Sequence, residues 1–217
     1  GYEGDYSVME IGVDVPRGRV SDEAIAAATG RYDLPQNVPV FLFVGRLMWY
    51  KGIRIILDAL KTLREKNVDF RMVFVGEGAD GAEIRSYAEE RKLSDRCFFT
   101  GAISDREIIR AWYGRSDLFL FPSTFDTNGL VVREAAASGT ATVMIQNSCA
   151  SEGVGDGRNG FCIEENATAM AAKLEELCRA PEMMQVVGEN AQRELYVSWE
   201  TAVQRAMEQA DATIIGN

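Results

Sequence analysis

Six short apolar runs punctuate the chain, and helical patterns lie between them. Residues 40–45 (VFLFVG) are near-continuously apolar, and Ile53, Ile56, Leu57, Leu60 and Leu63 then recur at the three-and-four spacing of one helix face. Residues 70–78 read as a strand and glycine turn, with a helix over 82–92. Residues 96–101 read as a strand, and Ser104 with Glu107 forms a capping box for the helix that follows. A strand over 117–123 precedes a helix over 129–138, and residues 140–145 form another strand. A glycine-rich loop over 153–160 leads into the sixth strand, GFCIE. Asn166 or Thr168 caps a helix ending at Arg179, Pro181 opens another, and a last one spans about 198–213. Strands apolar on both sides, alternating with helices, predict a doubly wound α/β fold: a mostly parallel sheet of about six strands with helices on both faces. Residues 1–38 read as a linker or hinge leader and 39–217 as the folded domain. The opening stretch reads as a strand or linker entered from outside, as in a piece of a longer protein.

The charge balance narrows the function. Among 217 residues the net charge is −10, and no basic stripe is visible, which argues against nucleic acid as a partner. The chain has no histidine, so Ser-His-Asp triads, Cys-His pairs and histidine-ligated metals are excluded within it. Four cysteines lie far apart without a C-x-x-C pair, a pattern expected of reduced cytosolic thiols. No apolar run approaches the ~20 residues of a membrane span.

Ligands of such sheets bind beyond the carboxyl ends of the strands. After the first strand come Arg46 and, at the start of the next helix, Lys51. A cation there opposes the helix dipole by ~0.3–1 kcal/mol, a cost that a bound anion would reverse; the alternative is a pair of solvated charges. Met48, Trp49 and Tyr50 in the same loop are either a cleft wall or partner surface, or a loop tucked back on its own helix. Gly76-Glu77-Gly78 lacks the dinucleotide-binding spacing and reads as a tight turn. After the fourth strand, Thr127 or Asn128 can cap the helix, and Gly129 lets a ligand approach its first amides, which attract phosphate. Glu134, ~8 Å further along the axis, leans back toward that helix end. A solvated helix glutamate is the alternative. Alanines 135, 136 and 137 allow close packing on the sheet.

GRLMWYKG, FVGEG, FFTGAIS, DLFLFPSTFDTNGLVVREAAASGTATV, DGRNGF and SWETAV, in this order, resemble the carboxyl-terminal half of family 4 glycosyltransferases, from about residue 40 to the end. The resemblance implies a GT-B fold of two Rossmann-like domains, of which this chain would be the donor-binding one. It also implies a retaining, metal-independent hexosyltransferase using an NDP-sugar, UDP- or GDP-linked, with no other cofactor. By position, Arg46 and Lys51 are similar to the pair that clamps the diphosphate. Glu134 is similar to the second acid of an E-x7-E motif, which bonds the ribose. Gly129, Leu130 and Val131 correspond to amides near phosphate or sugar, Ile103 to the residue whose main chain meets the base, and Asp126 to the first acid, near the hexose.

The chain departs from the pattern at Asp126, one methylene short, at Asn128, where an aromatic residue is commoner, and in QNSCASEGV, where only Glu152 is acidic. The implied partners are a nucleotide-sugar and an amino-terminal acceptor domain, with peripheral membrane association through that domain. The implied location is cytoplasmic, at the inner face of the membrane. The acceptor would be a lipid, a glycan or a small molecule, and the fragment alone would bind nucleotide without transferring sugar. Two other readings stand beside this one: a sugar-nucleotide epimerase-like enzyme, and a non-catalytic protein-interaction module. The absent dinucleotide fingerprint counts against a dehydrogenase.

Overall fold

The computed structural model describes residues 11–126 and 129–215. All six expected strands form: β1 (Val40–Val44), β2 (Arg71–Val75), β3 (Cys97–Gly101), β4 (Leu118–Phe121), β5 (Ala141–Ile145) and β6 (Phe161–Ile163). They make one sheet in the order β3-β2-β1-β4-β5-β6, and every neighbouring pair is parallel. The helices are α1 (Asp22–Thr29), α2 (Ile53–Glu65), α3 (Gly81–Glu90), α4 (Arg106–Arg115), α5 (Leu130–Ala137), α6 (Ala167–Arg179), α7 (Pro181–Glu194) and α8 (Trp199–Ile215).

Side chains alternate across the pleat and build one apolar cluster on each face. Phe41, Phe43, Phe74, Leu120 and Val143 join α2, α3 and α6, including the five α2 residues picked out by helical spacing, all fully buried. Val40, Leu42, Val73, Phe119 and Met144 join Trp112 and Tyr113 of α4 and Val132 and Ala135 of α5. A buried side chain of this size stabilises the fold by about 1.5–3 kcal/mol, so continuous apolarity in the strands reflects two covered faces.

Two local expectations change. The cap of α4 is Asp105, not Ser104: its carboxylate accepts from the N–H groups of Glu107 at 2.9 Å and Ile108 at 3.4 Å. A charged acceptor at the positive end of a helix gains from the dipole as well as the hydrogen bonds, which a serine one residue earlier does not match. The stretch read as a leader contributes α1, capped by Ser21 through the Ala24 N–H at 3.2 Å. Ile25 and Thr29 of α1 are buried, and the Tyr32 ring meets Phe98 and Trp112 edge-on. Further out, Val13 exchanges backbone bonds with Val197 and Trp199 at the start of α8. Residues 1–10, with part of the expected hinge, lie outside the described residues.

Candidate functional site

The winding of the sheet reverses between β1 and β4. Their carboxyl ends lead to loops on opposite faces and leave a crevice between them, the place where open α/β sheets bind ligands. Arg46 and Lys51 follow β1, and Asp126, Gly129 and Glu134 follow β4.

The loop after β1 is held by the loop after β2. Leu47 N–H donates to the Glu77 carbonyl at 3.0 Å, Asp80 N–H to the Leu47 carbonyl at 3.2 Å, and Trp49 N–H to Asp80 Oδ2 at 2.8 Å. The Gly76-Glu77-Gly78 turn is therefore more than a tight turn. A Cβ on Gly76 would lie 2.0 Å from the Gly45 carbonyl oxygen, and one on Gly78 2.3 Å from that of Leu47. Glycine is required because another backbone passes there.

A 3-10 turn, Trp49–Lys51, then leads to Gly52, which starts α2 at φ +76°. A Cβ on Gly52 would sit 2.3 Å from the Pro122 carbonyl oxygen, so the two crevice loops touch. This contact delivers Lys51 to Asp126: Nζ lies 2.7 Å from both carboxylate oxygens, and the lysine side chain is only 12% exposed. The carboxylate offsets the cost of a cation ahead of α2. Arg46 is exposed, and its Nη2 donates to Tyr50 Oη at 2.7 Å. The Met48-Trp49-Tyr50 group divides. Trp49 is tucked against Tyr87 at 5.2 Å, with the Arg54 guanidinium over both rings, while Tyr50 faces outward beside Arg46 and Lys51.

Helix α5 begins at Gly129, with φ +54° and no side-chain cap; the expected caps, Thr127 and Asn128, lie outside the described residues. Its first backbone bond runs from Val132 N–H to the Gly129 carbonyl at 2.8 Å, so the amides of Gly129, Leu130 and Val131 precede the helical ladder. A Cβ on Gly129 would come within 3.0 Å of Ala150, which brings the loop after β5 against this helix end. Glu152 in that loop is exposed, as is Leu130.

Glu134 is not a solvated helix residue. It is half-buried, with Tyr113 Oη 3.5 Å from its Oε2 and 3.3 Å from the Val131 carbonyl. Burial pushes the carboxyl above the ordinary glutamate range, while the Tyr113 hydroxyl and the Arg106 charge pull it back. The same burial, with Glu134 beside it, pushes the Tyr113 phenol well up. Alanines 135, 136 and 137 are buried, as close packing requires. Ile103 and Val131 pack on the apolar cluster that contains Tyr113.

Two groups of predicted residues result: Lys51 paired with Asp126, with Arg46 linked to them through Tyr50, and Glu134 with Val131 around Tyr113. Sequence reasoning missed Tyr113, whose signal was a large aromatic with a polar tip inside a helix, and Phe125, an apolar residue directly before the acid. It also missed Asn159, buried in the loop before β6, which bonds Gly155 N–H at 2.8 Å and Glu194 at 2.8 Å. Among the described residues, no group of three or more Cys, Asp or Glu is placed to hold a metal.

The chain is similar to known proteins in sequence and in fold. The D-inositol 3-phosphate glycosyltransferase of Streptomyces avermitilis is 28% identical over 209 residues, covering 92% of this chain and 45% of its own length. The chain thus spans about half the length of such curated relatives. The carboxyl-terminal domain of a group 1 glycosyl transferase (LpcC) from Francisella tularensis superposes with a TM-score of 0.68 at 21% identity, covering 86% of this chain and 94% of that one. Anabaena Alr3699/HepE in complex with UDP-glucose superposes with a TM-score of 0.77 at 22% identity, covering 89% of this chain and 54% of that one. The family model described as glycosyl transferases group 1 matches residues 27–194, from the end of α1 to the end of α7, and by that match the chain belongs to the group 1 glycosyl transferases, with the fold of their carboxyl-terminal domain.

Proposed function

We propose that this chain is the nucleotide-sugar donor half of a retaining glycosyltransferase of family 4. The observation that carries the reading is the Lys51–Asp126 contact at 2.7 Å, which joins the loops after β1 and β4 across the reversal point of the sheet. A donor diphosphate there would meet Lys51, Arg46 and the amides of Gly129, Leu130 and Val131. An ammonium has three donors, so Asp126 can orient Lys51 while phosphate takes the remaining bond. Glu134 would accept from the ribose hydroxyls, the Ile103 main chain would meet the base, and Asp126 would border the hexose. When the glycosidic bond breaks, negative charge grows on the departing diphosphate. Fixed cations and helix amides aimed at that charge lower the barrier.

The acceptor, whether lipid, glycan or small molecule, would be held by an amino-terminal domain. Trp199, Val203 and Met207, all exposed and four residues apart on α8, form an apolar face suited to packing on that domain. Among the described residues no helix is long and apolar enough to cross a membrane; peripheral association with the inner membrane face would come through the amino-terminal domain. Anabaena Alr3699/HepE, named above in complex with UDP-glucose, supports a uridine-linked donor.

Calorimetric titration with UDP, GDP and their sugars tests the reading. Saturable binding that weakens in Lys51 and Glu134 variants is expected. Binding of a nicotinamide cofactor instead, or of no nucleotide, would refute it.

A further inference from the structure

We propose that Tyr50 and Phe125 form an aromatic platform for a pyranose ring at the mouth of the crevice. The proposal rests on the nucleotide-sugar reading and adds to it the side chains that hold the ring itself. Phe125 is the most exposed large apolar side chain among the described residues, at 73%, and Tyr50 is 38% exposed. A single exposed apolar residue is ordinary, but these two are joined, with ring centroids 6.0 Å apart and planes at 82°. The pair is also framed by charge. Tyr50 Oη accepts from Arg46 Nη2 at 2.7 Å, and Lys51 Nζ lies 5.4 Å from the Tyr50 ring centre. Lys51 in turn holds both oxygens of Asp126, the chain neighbour of Phe125.

This composition matches a sugar ring better than other flat or apolar ligands. One face of a pyranose carries C–H groups, which rest on the electron-rich face of an aromatic ring. Its rim carries hydroxyls, which need a donor and an acceptor close by. The Tyr50 hydroxyl, which accepts from Arg46 and keeps its own hydrogen to donate, and the Asp126 carboxylate, which accepts, supply both at the platform. The ring is either the donor's own hexose or that of an acceptor glycoside, and the two sources share this chemistry.

The test uses this chain with Phe125→Leu, which keeps apolar bulk but removes the ring, and Phe125→Trp, which restores one. Each variant is titrated by calorimetry with UDP, GDP, UDP-glucose, GDP-mannose, and a neutral methyl hexopyranoside at saturating nucleoside diphosphate. Phe125→Leu should weaken one sugar ligand about three- to tenfold, with nucleoside diphosphate affinity kept within about twofold and Phe125→Trp close to wild type. Loss confined to the nucleotide-sugars assigns the platform to the donor hexose, and loss confined to the methyl glycoside assigns it to an acceptor ring. Equal loss for nucleoside diphosphate and nucleotide-sugar overturns the proposal in favour of base stacking, and unchanged affinity for every ligand overturns it outright. If the wild-type chain binds no nucleotide, the nucleotide reading fails by itself. Saturation transfer to the methyl hexoside then decides the platform: a signal lost in Phe125→Leu upholds it, and no signal in the wild type overturns it.

Discussion

Replacing Glu134 by Gln should weaken nucleotide binding and stabilise the fold in one step. The carboxyl is half-buried beside the Tyr113 hydroxyl, and burial raises its proton affinity in the folded chain. The folded state therefore keeps its proton to higher pH than the unfolded state does. Below the ordinary glutamate value, about 4.3, both states are protonated and nothing is gained or lost. As pH rises from there through the higher folded value, the unfolded chain ionises first, and stability falls by a cost that persists at neutral pH. A neutral amide avoids that cost and can still accept from Tyr113. Glu134→Gln should thus raise the unfolding temperature at pH 7, with the gap closing as pH falls toward 4. The opposite holds for ligand: hydrogen bonds from ribose hydroxyls to a carboxylate contribute ~1.5–3 kcal/mol, or about ten- to a hundredfold in Kd. Glutamine keeps one acceptor and should sit near the lower end, and Glu134→Ala near the upper. Calorimetry with nucleoside diphosphate and thermal unfolding from pH 4 to 8 measure both effects. Unchanged affinity refutes the ribose contact. An unfolding temperature at pH 7 no higher than wild type refutes the burial argument.

Lys51→Met should cost about tenfold or more in nucleoside diphosphate affinity and leave the bare nucleoside unaffected; equal loss on both would remove the diphosphate role, and competition calorimetry distinguishes the two. Arg46→Gln should act in the same direction with a smaller effect, because the guanidinium is exposed and screened. Gly76→Ala puts a methyl 2.0 Å from the Gly45 carbonyl oxygen and should destabilise the fold by at least about 2 kcal/mol; an unchanged urea midpoint would mean that the two loops separate freely. Tyr113→Phe removes a hydroxyl that holds the Glu134 carboxyl down, so the acid limb of nucleotide binding should move to higher pH, along with a stability loss of about 1 kcal/mol.

Ile53, Ile56, Leu57, Leu60 and Leu63 were legible because each is buried by the helix it sits on, and a 3.6-residue period survives in one dimension. The strands were legible because both sheet faces are covered. The helix α1 was not, since Ile25 is its one buried large apolar side chain and alanines supply most of the rest. Arg46, Lys51, Asp126 and Glu134 were legible as types at strand ends, but their grouping was not. The Lys51–Asp126 contact joins residues 75 positions apart and depends on Gly52 passing the Pro122 carbonyl. Gly76 and Gly78 looked like a turn because the backbone that demands them belongs to another loop. Tyr113 went unread for the same reason: its hydroxyl acquires a role only when α4 and α5 lie side by side on the sheet.

A crystal structure of this chain soaked with UDP or GDP tests the central claim most directly. The diphosphate is expected in the crevice between β1 and β4, with a phosphate oxygen within about 3 Å of Lys51 Nζ and of an amide at the start of α5, and the ribose on Glu134. A nucleotide bound elsewhere on the chain, or one in the crevice with Lys51 still wholly engaged on Asp126 and no contact to Glu134, would contradict it.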